Sequence, residues 1–190
     1  SMYAEALFYS TLDSPRFNVK SDLLWRTKLP FGRHTVLSTR FALGASSNYD
    51  GHGFLVGGSS VSSTMRMRPW SDPVNLVRGF SDYSKDGDHY YTANIYVTFP
   101  LRWIDVGFET LPFYLRRLHA KIFLDVGDVV GPEFQFSRPL VGAGAEVRLT
   151  MIQAWAVSTD LILGISRGLG ERGSWGFYFS FGSPLPNTIM

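Results

Sequence analysis

Apolar and polar residues alternate along most of this chain, a pattern that predicts β-strands with two different faces. The clearest example is residues 117–126, where Leu118, Ile122 and Leu124 alternate with Lys121 and Asp125. The same pattern recurs often enough to predict about eight strands. They cover residues 3–12, 17–29, 35–45, 89–99, 117–126, 140–150, 153–163 and 174–182.

The predicted strands are long, most of them about 10 to 13 residues, whereas strands of soluble proteins typically have about 5–6. A tilted strand of about 9–11 residues crosses a bilayer. A soluble barrel also alternates, with its apolar face inward. The Gly, Ala and Ser residues on the polar faces of the last three strands favour a membrane, because water-facing strands usually carry more charge. We therefore expect an all-β fold: a single domain over 1–190 forming an antiparallel transmembrane β-barrel or half-barrel.

Composition agrees with this expectation. Aromatic residues make up 15% of the chain and charged residues 18%, against about 25% charged in an average soluble domain. No apolar run approaches the ~20 residues of a membrane helix. A net charge of +2, with scattered basic residues, does not suggest nucleic acid as a partner.

The segment from about 46 to 88 reads mostly as a long loop, in which 54–56 could extend a strand. Residues 100–116 read as a connection that could include a short amphipathic helix. The loop contains Arg78-Gly79-Phe80, and Asp125 lies on the polar face of the clearest strand. A loop arginine that folds inward needs a buried carboxylate partner, because an unpaired charge away from water is costly.

Four motifs in order resemble the carboxy-terminal barrel region of the BamA-like bacterial surface antigen superfamily. They are Val77-Arg78-Gly79-Phe80, Phe99-Pro100-Leu101, the run from Leu111 to His119, and Phe123-x-Asp125-x-Gly127. The resemblance implies an outer-membrane barrel of the sixteen-stranded type, whose Arg-Gly-Phe loop tucks into the lumen and meets the aspartate. It assigns Arg78, Gly79, Phe80, Asp125 and Gly127 to anchoring the loop rather than to catalysis.

The chain departs from that family at one point. Members often carry an acidic residue on the strand before Phe-Pro, but no Asp or Glu lies between His89 and Trp103 here. The loop arginine would then depend on Asp125, with Asp128, Glu146 or Asp160 as possible helpers.

Three predicted strands precede the Arg-Gly-Phe loop and five follow it, as in the second half of the family barrel. The chain could close alone, pair edge to edge with copies of itself, or be part of a longer chain. Small inward residues and a long inward loop favour self-association, since an eight-stranded barrel leaves little room inside. No signal peptide is present, so we expect a longer natural precursor, and upstream periplasmic domains are an alternative that would make this the membrane end of a translocation or insertion machine.

Catalytic and cofactor patterns are weak. The four histidines show no metal spacing, and the chain has no cysteine. A barrel-form lipid enzyme is a further alternative, with His52 and the serines between Ser59 and Ser63 as its only candidates. We expect a non-enzymatic protein of the bacterial outer membrane, without cofactors, in contact with lipid and with copies of itself.

Overall fold

The computed structural model describes residues 2–11, 14–30, 34–46, 54–58, 77–81, 84–108, 111–130, 138–154 and 157–182. Within these ranges the chain is all-β. The strands are β1 (Met2–Thr11), β2 (Ser14–Lys28), β3 (Val36–Ser46), β4 (Phe54–Val56), β5 (Lys85–Gly87), β6 (His89–Phe108), β7 (Leu111–Val130), β8 (Leu140–Gln153), β9 (Val157–Leu169) and β10 (Trp175–Gly182). No helix that could span a bilayer is found in the part of the chain that the structure describes.

Eight strands form one antiparallel sheet in the order β1-β2-β3-β6-β7-β8-β9-β10. The remaining two, β4 and β5, pair with each other inside the long connection between β3 and β6. No ladder among the described strands joins β1 to β10, so this sheet has two open edges. Of the predicted barrel or half-barrel, the described strands therefore form an antiparallel sheet that is not closed into a barrel.

One face of the sheet is apolar and exposed. Adjacent strands place large side chains side by side on it, as at Leu23↔Phe41 and Val147↔Leu163. Phe177 on the edge strand β10 is 78% exposed. The apolar residues of the alternation thus lie on an uncovered surface and not in an interior.

The opposite face carries polar residues, many of them buried. One row crosses five strands at the same height and reads Arg40↔Asn94↔Asp125↔Gly142↔Gly168. Asn94 and Asp125 in this row are almost completely buried. The loop segment 77–80 lies over this row, and its Arg78 contacts Asp125 directly. The β4–β5 hairpin lies against β6 and β7, where Val56 joins a small apolar cluster with Val77 and Phe80.

Several predicted bounds are wrong. Residues 100–108 and 111–116 extend β6 and β7, each 20 residues long, where a connection with a helix was expected. Three register shifts in the β6–β7 ladder break the strict alternation, so the pattern of these residues did not indicate a strand. The seventh long strand is Val157–Leu169 and not 153–163. The turn before this strand includes Ala154, whose φ is 47°. Met151 lies within β8.

The connections distinguish the two ends of the sheet. The loop end carries the long 47–84 connection, the 131–139 connection and the turn between β9 and β10. The short-turn end carries the connections β2–β3, β6–β7 and β8–β9. The β6–β7 hairpin projects from the short-turn end, because β3 pairs with β6 only as far as Thr98.

Candidate functional site: a loop anchored in a charge cluster

The loop segment 77–80 lies against the polar face of β7, β8 and β9, and glycines make this close approach possible. A Cβ at Gly142 would overlap the carbonyl oxygen of Arg78, and one at Gly127 would lie 2.8 Å from Val77 Cγ2. Gly79 has a φ of 91°, and a Cβ there would overlap the backbone of Gly168. Glycine suits both the left-handed conformation and the contact.

The loop backbone is also hydrogen-bonded to the sheet side. The amide of Ser174 donates to the carbonyl of Gly79 at 3.0 Å, and the amide of Arg78 donates to Asp125 Oδ2 at 3.3 Å. The two residues that flank this stretch are buried as well, with Val77 fully buried and Phe80 8% exposed. Phe80 packs in the apolar cluster that includes Tyr90 and Val129.

Arg78 holds Asp125 with two parallel hydrogen bonds. Its Nε donates to Oδ2 at 2.6 Å and its Nη2 donates to Oδ1 at 2.9 Å. Asn94 donates a further bond to Oδ1 at 2.9 Å. Bidentate pairing is the geometry in which arginine and carboxylate match best. The structure therefore brings together the arginine and the aspartate that the family resemblance paired.

Glu146 is the second carboxylate at Arg78. Its Oε1 accepts from Arg78 Nη1 at 2.6 Å and from the hydroxyl of Tyr178 at 2.5 Å. Lys121 forms an ion pair with Oε2. Two cations thus face two carboxylates in a charge cluster consisting of Arg78, Lys121, Asp125 and Glu146. Burial is tolerable here because every charge has an opposite partner.

Aromatic rings complete the cluster, and they reach it across glycines. The ring centroid of Phe123 lies 3.3 Å from the guanidinium carbon of Arg78. A Cβ at Gly144 would lie 2.5 Å from Phe123 Cζ, and one at Gly164 would overlap the ring of Tyr178. Arginine stacks well on aromatic faces. The small residues of β8 and β9 therefore leave space that the loop and these aromatic rings fill.

The electrostatic surroundings keep Arg78 charged. Burial by itself lowers the pKa of the guanidinium, but the hydrogen bonds and charge of Asp125 and the charge of Glu146 outweigh it and raise that pKa. Arg78 is thus a permanent cation in the loop, and its contacts do not depend on pH through its own ionisation.

The other proposed helpers have different partners. Asp128 is paired with Lys85 at 2.5 Å and also accepts from its neighbouring amide, Val129 N, at 2.8 Å. Asp160 accepts from Thr150 and Arg148. Of the three possible helpers, Glu146 is the one that the described structure places in contact with Arg78.

Sequence reasoning overlooked Lys121 and Tyr178. Both lie on the same face as Glu146 by strict alternation, and the row Lys121↔Glu146↔Gly164↔Tyr178 crosses four strands. The alternation places each residue on the polar face. It does not give the register between strands, which decides that these residues meet.

The charge cluster anchors the loop through the ion pairs of Arg78. Its carboxylates are occupied, and no group of three or more His, Asp or Glu in the described ranges is placed to hold a metal ion. The candidate enzyme residues, His52 and the serines from Ser59 to Ser63, lie outside the described residues.

No family model matches this chain, and no significant match is found among the curated proteins or the solved structures.

Proposed function

We propose that this chain is a non-enzymatic β-protein of the bacterial outer membrane, of the BamA-like type, which forms a pore-like wall by pairing with copies of itself. The apolar face contacts lipid. The polar face lines an interior partly filled by the anchored loop. The proposal rests on the order of four motifs and on the distribution of side chains between the two faces.

The exposed apolar face carries the argument. Leu163 and Phe179 stand side by side on β9 and β10, each 55% exposed, while Ser166 on the other face of β9 is 1% exposed. In water this arrangement is reversed, since a soluble sheet buries its apolar face. An uncovered apolar face as large as this one marks an interaction surface. Lipid suits it, because transmembrane barrels turn an apolar band outward and polar residues inward.

The open edges require partners in a membrane. A strand edge exposed to lipid leaves amide and carbonyl groups unpaired, which the bilayer interior does not tolerate. In an eight-stranded meander the first and last strands, β1 and β10, run in opposite directions. The β1 of one copy can therefore pair antiparallel with the β10 of another. Two copies are the smallest such assembly, with sixteen strands.

The anchored loop also argues against closure by one chain. An eight-stranded barrel has an interior that its own side chains just fill. Here residues 77–80 already occupy the polar face of β7, β8 and β9. A wall of two or more copies leaves space for these loops, and each loop then narrows the channel that the wall encloses.

The test is refolding into lipid followed by mass measurement. We expect the purified chain to insert into bilayers, to shift in electrophoresis on folding and to have a detergent-corrected mass of at least two chains. A monodisperse single chain in detergent-free buffer would contradict the membrane assignment. A folded single chain in detergent would contradict self-association but leave the lipid-facing surface in place.

A further inference from the structure

On the polar face at the short-turn end, Arg117 is a cation without an ion-pair partner among the described residues. Arg117, His119 and Lys121 follow one another along this face of β7, and Arg148 lies directly opposite His119 on β8. Side chains directly opposite in an antiparallel pair have Cβ atoms about 4.5–5.5 Å apart, and diagonal ones about 7–8 Å. Arg117 and Lys121 are the two diagonal neighbours of Arg148, so the four basic side chains form one group.

The carboxylates nearby are already engaged. Glu146 is shared by Lys121, Arg78 and Tyr178. Asp160 accepts from Thr150 at 2.7 Å and from Arg148 at 3.3 Å. With Asp125, the described part of this face and the loop over it have three carboxylates. They face four cations, which are Arg78, Arg117, Lys121 and Arg148. The surplus positive charge is that of Arg117.

Arg117 has no hydrogen bond or ion pair within the described residues, and its Nε is buried without a hydrogen-bond partner. A buried N–H group without an acceptor is rare, and it indicates a missing partner. The engagement of Arg148 is also incomplete, because only its Nη1 reaches Asp160 and its side chain is 33% exposed. Two guanidinium groups therefore have free N–H groups on the same surface, with an imidazole between them.

We propose that Arg117, His119 and Arg148 form a binding site for a phosphate-type oxyanion at the short-turn end of the polar face. Guanidinium groups bind phosphate through paired N–H donors in a planar fork. An oxyanion here would accept from the guanidinium group of Arg117, balance its charge and complete the contacts of Arg148. The same chemistry is offered by free phosphate and by the phosphate of a lipid headgroup.

The site does not require the assembly proposed above, because all three residues belong to one chain. It can therefore be measured on protein folded in a maltoside detergent, which carries neither charge nor phosphate. A failure to assemble would leave this measurement intact. Absent phosphate binding would leave the lipid-facing surface and the edges intact.

The experiment is calorimetric titration of the folded chain with inorganic phosphate. Arg117→Gln is the main variant, since it breaks no hydrogen bond or ion pair among the described residues and should fold normally. We expect it to weaken binding about tenfold or more, the loss expected for hydrogen bonds to a charged group. Arg148→Gln should weaken binding too.

The matched control is Arg116→Gln. It removes the same charge one residue away, but Arg116 is exposed and sits at a register shift where it has no partner on β8. We expect its affinity for phosphate to equal that of the wild type. Equal affinities in wild type and Arg117→Gln, or no binding by the wild type, would overturn the proposal.

A second arm identifies the source of the phosphate. The same variants are compared for retention of an anionic phosphatidylglycerol and of a zwitterionic phosphatidylcholine in lipid discs. A loss of phosphatidylglycerol retention in Arg117→Gln, with phosphatidylcholine unchanged, assigns the site to a lipid headgroup. Binding of inorganic phosphate with no difference in lipid retention assigns it to a soluble anion.

Discussion

Arg78 brings a permanent positive charge into a place that is 3% exposed, and its three carboxylate contacts offset the cost of burial. Replacing it with alanine would leave Asp125, which is fully buried, without its cation. Breaking a buried pair in this way costs about 3–5 kcal/mol. The loop would lose its charged contacts at the same time, while the strands would keep their ladders.

We therefore expect Arg78→Ala to lower the stability of the folded chain by about 3–5 kcal/mol and to make residues 47–88 cleavable by protease. Urea unfolding in detergent and limited digestion measure the two effects. Arg138→Ala is the control, since the Arg138–Glu171 contact is exposed and 3.7 Å long. Digestion that is equally slow in both variants would contradict the anchoring role.

The glycine at position 142 tests the loop contact without changing a charge. A Cβ there would overlap the carbonyl oxygen of Arg78, whereas one at Gly182 would meet nothing within 4 Å. We expect Gly142→Ala to displace the loop and increase its digestion, and Gly182→Ala to behave as the wild type. Equal protection of the loop in both variants would show that the segment does not lie against β8 as described.

Strands and their faces could be predicted from the sequence because alternation is a local property. The faces predicted for the 117–126 and 140–150 segments match the observed exposure, with Ile122 and Val147 outward and Asp125 and Glu146 inward. Strand ends were less accurate. Register shifts near Pro100 and Trp103 interrupt the alternation without ending the strand. From the alternation alone, such a β-bulge cannot be distinguished from the end of a strand.

Contacts between strands were harder to predict than faces. The pairing of Arg78 with Asp125 came from a family resemblance, and Glu146 was one helper among three. Register decides which polar residues meet, and it depends on the whole ladder. The sequence shows that β8 and β9 carry small residues on one face. It does not show that Gly142 and Gly168 are in contact with the loop, which depends on the position of the loop in the fold.

The outward face of β8 gives a prediction at the scale of the element. Val147 is 41% exposed in the middle of the sheet, and Val106 is 49% exposed on the projecting part of the β6–β7 hairpin. In water the two positions would tolerate arginine equally. In a bilayer, arginine costs about 2–4 kcal/mol near the midplane and about 0–1 kcal/mol near the interface.

We thus expect Val147→Arg to destabilise the chain folded in lipid by about 2–4 kcal/mol and Val106→Arg by about 1 kcal/mol or less. Reversible unfolding from lipid vesicles provides the measurement. Equal costs at both positions would mean that the apolar face does not contact the interior of a bilayer.

At the scale of the whole molecule, the eight-stranded sheet has two open edges, β1 and β10. The backbone groups of these edges need hydrogen-bond partners wherever water is excluded. In the proposed function, the exposed apolar face contacts lipid, and the open edges pair with the edges of other copies. The anchored loop fixes which side is the interior. The proposed assembly therefore has one geometry, in which β1 of each copy would lie beside β10 of the next.

That geometry predicts a specific cross-link. The chain has no cysteine, so introduced thiols report only on the contact where they are placed. Chains carrying Ala4→Cys or Ala6→Cys on β1 are refolded together with chains carrying Phe179→Cys on β10, because the ladders place all three positions on the apolar face. A disulfide forms only where Cα atoms come within about 4.4–6.8 Å, and these two small positions on β1 sample two heights of the seam.

We expect a covalent dimer from at least one mixture of a β1 variant with the β10 variant, because the two edges face each other between copies. Each variant refolded alone should remain uncoupled, since neighbouring edges in the assembly are never both β1 or both β10. Ile122→Cys mixed with Phe179→Cys is the control, as β7 is paired on both sides by its own neighbours. When both substitutions are placed in one chain, a monomer with an internal disulfide would instead show that the sheet closes on itself, and the edges would then need no second copy.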